Sequence, residues 1–194
     1  GLVRAALRAP GEKPPRETPA RENAAGEKPA TEKAWADLAG VIGRDLATKL
    51  RGGAKKICLD AHTTGKKMGD AGVAVLAKVL PQCTALTKLE LQRNEITDVG
   101  AAVLANVLPQ CPALSYLTLY GNQIGDSGGV ALSNVLPQCP ALWDLNLNSN
   151  QIGDSGCVAL SNVLPQCPAL SRLDLDYNQI GDSGGVALSN VLPQ

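Results

Sequence analysis

The chain has 194 residues, 18 acidic and 18 basic side chains, and a formal net charge of zero. The missing basic excess argues against a nucleic-acid binder, and no run of about 18 apolar residues exists to span a membrane. Hydrophobic residues make up 44% but aromatics only 3%, with no Phe, so a core must be built from Leu, Val, Ile and Ala. That suits thin repeated layers better than one bulky centre.

Gly1 to Pro10 lack both an initiator Met and the long apolar run of a secretory signal, so a fragment or processed product is expected. Residues 1–33 are rich in Pro, Glu, Lys, Arg and Ala. The run Pro10-Gly11-Glu12-Lys13-Pro14-Pro15 suits neither helix nor strand, and ordering it would cost entropy with little burial in return. A disordered tail or linker is expected over 1–33, with a segment that folds on contact with a partner as the alternative. Thr31 to Arg51 reads as one amphipathic helix, with Trp35, Leu38, Ile42, Leu46 and Leu50 on one stripe. Thr31 is the expected N-cap and Gly52-Gly53 the stop. A lone helix must cover something, so 34–53 is expected to cap the first layer of a stack.

Residues 54–194 repeat. Leu-Pro-Gln-Cys ends at Cys83, Cys111, Cys139 and Cys167, a period of 28, and Asn94, Asn122, Asn150 and Asn178 keep it. So do Leu89-x-Leu91, Leu117-x-Leu119, Leu145-x-Leu147 and Leu173-x-Leu175. Each unit reads L-x-x-L-x-L-x-x-N-x-I-x-D-x-G, then a helical run, then L-P-Q-C. The alternating Leu pair predicts a short strand with one face buried. The run Val130 to Leu136 puts Leu132 and Leu136 on one helix face, and Pro137 ends it. Strands that alternate with helices pair in parallel.

This pattern resembles the leucine-rich repeat family in its ribonuclease-inhibitor subclass, as in Nod-like receptor repeat domains and Ran GTPase-activating protein. The likeness covers 83–194 cleanly. Residues 54–82 resemble a degraded first repeat, with Ile57-Cys58-Leu59 as strand and Met68-Gly69-Asp70-Ala71-Gly72 as turn. Extra residues around His62 separate the two. The expected fold is an α/β solenoid of about five repeats, a horseshoe arc with a parallel sheet on the concave face and helices on the convex face. Strands stack at about 4.8 Å and helices need roughly 8–10 Å, which implies a bend of about 20–25° per repeat. The resemblance also implies that the Asn column is a ladder satisfying backbone groups.

With the leucines inward, the intervening residues face the concave side. They are Lys88, Glu90, Gln92 and Arg93; Tyr116, Thr118, Tyr120 and Gly121; Asp144, Asn146, Asn148 and Ser149; and Arg172, Asp174, Asp176 and Tyr177. Asn122 to Cys139 and Asn150 to Cys167 differ only at Gly129 against Cys157, and Asn178 to Gln194 repeats the Gly129 version. The concave positions are almost all different. All three Tyr stand among them, and Tyr is a favoured hot-spot residue. Asp144 and Arg172 share a column, so mutual pairing is the alternative to a partner role for them.

Other motifs are structural on this reading. Gly125-Asp126-Ser127-Gly128-Gly129 and Gly181-Asp182-Ser183-Gly184-Gly185 match a serine-protease nucleophile signature, but a Ser nucleophile needs a His base. The chain's single His, His62, lies outside these repeats. Asp126, Asp154 and Asp182 are instead expected to accept a backbone N–H at a helix start. The periodic Cys lie one per repeat, where a zinc site wants converging ligands. Buried thiols in a reducing, cytoplasmic setting are expected, with Cys58 and Cys157 as extra thiols. Gly65-Lys66 lacks the first Gly and the Ser or Thr of a phosphate loop.

The expected function is protein binding through the concave face, without catalysis, metal or cofactor, and with no nucleic acid or membrane as partner. One alternative is regulation of a small GTPase, with Arg93 at the rim. Another is the repeat domain of a larger sensor. End-to-end self-association through the last repeat is a further expectation.

Overall fold

A computed structural model describes residues 4–6 and 32–191. Five parallel strands, each three residues long, form from the alternating leucines: β2 (Lys56–Cys58), β3 (Lys88–Glu90), β4 (Tyr116–Thr118), β5 (Asp144–Asn146) and β6 (Arg172–Asp174). Each pairs with the next in a register that sets Leu89, Leu117, Leu145 and Leu173 side by side. The eight strand leucines, from Leu89 to Leu175, are at most 1% exposed. Layers of helix pack behind them in chain order, α4 (Gly69–Ala77), α5 (Asp98–Val107), α6 (Asp126–Ser133), α7 (Asp154–Val163) and α8 (Asp182–Val191). This is the α/β solenoid, with the sheet on the inner face of its arc.

Strand β1 (Arg4–Ala6) lies antiparallel on the outer edge of β6. The sequence placed no strand there. The rest of the tail, 1–3 and 7–31, falls outside the described residues, as does the Thr31 N-cap. Helix α1 (Glu32–Ile42) begins at the first described residue after this segment.

The single helix expected over Thr31 to Arg51 is two, α1 and α2 (Arg44–Arg51). Gly43 separates them with φ 89°, a left-handed conformation that glycine adopts without a Cβ penalty. The break lets α2 pack against α1 while α1 reaches α4. Trp35, Leu38 and Leu50 are buried, and Ile42 and Leu46 are half-buried against the same core.

Helices α4 to α7 each give way to a Leu-Pro-Gln 3-10 turn, such as Leu108–Gln110. Proline has no N–H to continue the helix. The Cys that follows donates its thiol to the carbonyl four residues back: Cys83 to Val79 at 3.3 Å, Cys111 to Val107 at 3.5 Å, Cys139 to Val135 at 3.4 Å and Cys167 to Val163 at 3.2 Å.

Two side-chain ladders join the layers. In the first, Asn122 Nδ2 donates to the Leu91 and Leu119 carbonyls at 3.0 and 2.8 Å, and its Oδ1 accepts from Ile96 N at 3.0 Å. Asn150 and Asn178 make the matching bonds, while Asn94 Nδ2 donates to the Leu59 and Gln92 carbonyls and its Oδ1 accepts from Met68 N. The second ladder crosses from each repeat to the next. Asp126 caps the helix start of the next repeat, its Oδ1 accepting from Gly153 N and Gly156 N, both at 2.8 Å. Asp98 does so to Gly125 and Gly128, and Asp154 to Gly181 and Gly184. The sequence period cannot tell a cap on the same repeat from one a full repeat away. Ser127, Ser155 and Ser183 are exposed beside these caps.

The degraded first repeat keeps the second ladder. Asp70 Oδ1 accepts from Thr97 N at 2.9 Å and Gly100 N at 3.0 Å. Its strand β2, expected over Ile57-Cys58-Leu59, forms one residue earlier, over Lys56–Cys58. Met68–Gly72, expected as a turn, instead opens α4, with Met68 at the N-cap position. The extra residues form a short helix, α3 (Ala61–Thr64), whose start is capped by Asp60 Oδ1 accepting from His62 N at 2.9 Å.

Candidate functional site

The concave columns follow from strand register. Lys56, Lys88, Tyr116, Asp144 and Arg172 form one row across the sheet, and Cys58, Glu90, Thr118, Asn146 and Asp174 the next. Gln92, Tyr120, Asn148 and Asp176 follow beyond the strand ends, with Arg93, Gly121, Ser149 and Tyr177 on the rim. The expected concave residues therefore share one face. They are not equally open: Glu90, Thr118, Asp144 and Asp174 are buried, at 8%, 4%, 2% and 5% exposure. Short strands 4.8 Å apart let flanking side chains cover the central rows.

The face divides by charge. Its first half carries Lys56, Lys88 and Arg93. Glu90 Oε1 sits 3.2 Å from Lys56 Nζ and 3.0 Å from Lys88 Nζ. Burial pushes the Glu90 carboxyl up, but hydrogen bonds from Cys58, Lys88 and Lys56 outweigh that and hold it below the usual carboxylate range. Lys88 Nζ stands 4.0 Å from the centre of the Tyr116 ring, and Arg93 Cζ stands 4.9 Å from that of Tyr120. Arg93 also pairs with Asp60 at 3.4 Å. Burial, with the Asp144 and Glu90 charges, raises the Tyr116 hydroxyl pKa.

The second half is acidic and rich in amides. Arg172 Nη1 meets Asp144 Oδ2 at 3.3 Å, so the expected pairing of these two exists. Asp174 Oδ1 accepts from Asn148 Nδ2 and from Asp176 N, both at 3.2 Å. Ser149 Oγ donates to Asn148 Oδ1 at 2.6 Å. These bonds hold the polar side chains in fixed positions.

The rim carries backbone strain. Arg93, Gly121, Ser149 and Tyr177 occupy equivalent places with φ 60°, 68°, 55° and 55°. Only Gly121 sits there at no steric cost. Tyr177 is 80% exposed in this conformation. Sequence reasoning overlooked Lys56, Asp60 and Trp143. The signal for Trp143 was available: equivalent positions hold Thr87, Ser115 and Ser171.

All six cysteines are free thiols. Burial pushes Cys83 up to about 11 and Cys111 and Cys139 up to about 12, the latter two further raised by neighbouring ladder cysteines. The thiolate is the reactive form. Iodoacetamide at neutral pH is therefore expected to label the folded chain slowly and all six thiols quickly in urea. Rapid labelling of Cys111 in the folded chain, read by mass spectrometry, would contradict the buried ladder. Among the described residues no three His, Cys, Asp or Glu converge as a metal site, and no helix is long and apolar enough to cross a membrane.

A family model described as "Leucine Rich repeat" matches residues 82–105, 110–133, 138–161 and 166–189. No curated protein matches the chain. Among solved structures, one titled as the actin-binding site 2 of leiomodin-1 is similar with a TM-score of 0.62 and 14% identity, over 78% of this chain and 87% of that one. An internalin (inlF) from Listeria monocytogenes is similar with a TM-score of 0.34 and 23% identity, over 62% of this chain and 42% of that one. The four matched windows follow the repeats built above, each running from the Gln of a Leu-Pro-Gln turn through a strand and the ladder Asn into the following helix. The chain belongs to the leucine-rich repeat family.

Proposed function

We propose that the chain is a protein-interaction module that binds its partner through the concave strand face. The carrying observation is the distribution of differences between its own repeats. Between repeats three and four, the 18 residues from Asn122 to Cys139 change at one position only. The strand windows Ser115–Gly121, Trp143–Ser149 and Ser171–Tyr177 change at five positions out of seven, and only the two core leucines stay. Random drift has no reason to spare exposed helix residues such as Asn134 and Gln138 while altering the opposite face. Tyr177, exposed and left-handed, adds support, since strain of this kind persists where something else requires the residue. The 28-residue period supports the ribonuclease-inhibitor-like subclass, and six free thiols support a reducing compartment such as the cytoplasm.

The test is a pull-down under reducing conditions with the full chain and a Tyr116→Ala, Tyr120→Ala, Tyr177→Ala variant of matched circular dichroism. A partner retained by the parent and lost by the variant is expected. Equal retention would move the binding surface elsewhere, to the convex helices or the N-terminal residues.

A further inference from the structure

Helix α8 repeats α6 residue for residue from Asp182 to Ser189, yet the two helices are covered differently. On α6, Asp126, Gly129, Val130 and Ser133 follow the i, i+3, i+4, i+7 spacing of one helix face. Helix α7 packs along that face. Asp126 accepts from Gly153 N and Gly156 N, and a Cβ at Gly129 would meet Gly156 Cα at 3.2 Å. Ser133 is 2% exposed there. The same face of α8 is Asp182, Gly185, Val186 and Ser189, and all four are exposed, Val186 at 59%. A Cβ at Gly185 would meet nothing within 4 Å. The Asp182 carboxylate, whose equivalents each cap the next layer, has no hydrogen-bond partner among the described residues.

The helices stack in the order α2, α1, α4, α5, α6, α7, α8, so the α1–α2 pair stands at the opposite end. Between α1 and α2 runs a groove of about 270 Å³. Its lining joins Ala36, Ala39, Ala47 and the Trp35 ring to Arg44 and Arg51. The one carboxylate among its lining residues, Glu32, is paired with Arg51, whose Nη1 donates to Oε2 at 3.0 Å. Arg44 is exposed and has no ion pair among the described residues.

The two ends also differ in sign. Residues 32–97 carry eleven basic and seven acidic side chains, whereas residues 98–191 carry one basic, Arg172, and seven acidic. Arg4, on β1 beside β6, adds one positive charge to the second end and leaves it acidic. Asp98, Asp126 and Asp154 are bonded to backbone N–H groups, which are neutral, so their charge is not cancelled.

We propose that α8 of one copy of the chain docks in the α1–α2 groove of a second copy, with Val186 against the alanines and Asp182 facing Arg44. A helix ridge entering a groove of small residues is ordinary helix packing. Charge selects this mate over the α8 of the second copy, because that contact would bring two acidic ends together. The two joined surfaces differ, so the contact is heterologous and can propagate from copy to copy. An exposed ion pair contributes little and salt screens it, so the apolar ridge supplies most of the affinity and the charges set the polarity. This surface is separate from the concave face, and neither reading rests on the other.

Sedimentation velocity of the full chain under reducing conditions, up to about 1 mM, tests the contact. Dimers and longer species are expected, and they recede as salt is raised. Two pairs of substitutions at exposed positions separate the faces: Asp182→Lys with Val186→Lys on α8, and Ala36→Glu with Arg44→Glu on the α1–α2 pair. Matched circular dichroism and melting curves check the fold of each variant. Each variant alone is expected to associate at least about tenfold more weakly than the parent. An equal mixture of the two is expected to recover dimers and nothing larger, because one intact α8 face and one intact groove remain. A parent chain that stays monomeric overturns the proposal. So does a groove variant that still dimerises through α8, an α8 variant that associates like the parent, or a mixture that stays monomeric.

Discussion

Asn150→Ala is expected to lower the unfolding free energy by about 4 kcal/mol, because one side chain serves three backbone groups at once. Asn150 Nδ2 donates to the Leu119 and Leu147 carbonyls, each at 3.0 Å, and Oδ1 accepts from Ile124 N at 3.0 Å. Asn150 is 7% exposed, so water cannot replace it. Ile124 N is left unpaired, at about 1–3 kcal/mol, and each of the two lost carbonyl bonds adds about 1 kcal/mol, although Leu119 O keeps Asn122 and Leu147 O keeps Asn178. The Asp variant fares no better: it keeps the acceptor but sets a carboxylate oxygen against two carbonyls. Asn178→Ala, at a half-buried site, is expected to cost about half as much. Urea denaturation followed by circular dichroism measures both. A loss below about 1 kcal/mol for Asn150→Ala would mean that water reaches Ile124 N.

Gly128→Ala is expected to cost about 3 kcal/mol, combining overpacking with a lost helix cap. A Cβ at Gly128 would stand 2.6 Å from Ile124 Cγ2, 2.7 Å from Asp98 Oδ1 and 3.1 Å from Ala101 Cβ. Asp98 cannot retreat without leaving Gly125 N and Gly128 N, now at 2.7 and 2.9 Å. The methyl therefore pushes apart two layers where they are in close contact. Gly185→Ala supplies the contrast. It lies in α8, and a Cβ there meets nothing within 4 Å. That substitution is expected to raise stability by about 0.5–1 kcal/mol through helix propensity and a less flexible unfolded chain. Paired thermal melts decide the matter: similar midpoints for the two variants would show that the layers separate without cost.

Much of this molecule could be read before any coordinates. The alternating leucines at 89 and 91 and their copies predict strands with one buried face, and those leucines are all buried. Pro81, Pro109, Pro137 and Pro165 predict helix ends, and 3-10 turns stand there. The paired column of Asp144 and Arg172 was legible from the period alone. Gly43 was harder, because the apolar stripe runs through it without a break and periodicity records faces, not bends. Trp143 was missed because it precedes the strand, where neither period marks a face.

The sequence by itself determined the repeat, its period and the side on which the chain varies, because a 28-residue unit with a strand and a helix can bury its leucines only by stacking on copies of itself. Tertiary structure alone decided which repeat each polar side chain serves. Asp126 caps the helix of the next layer, and Asn150 reaches back to the carbonyl of Leu119 in the layer before. It also decided which concave residues are open: Glu90, Asp144 and Asp174 sink between close strands, while Tyr177 stands out on the rim. Hydrogen bonds and ring contacts between layers depend on distances across the stack, and a period along the chain does not carry those distances.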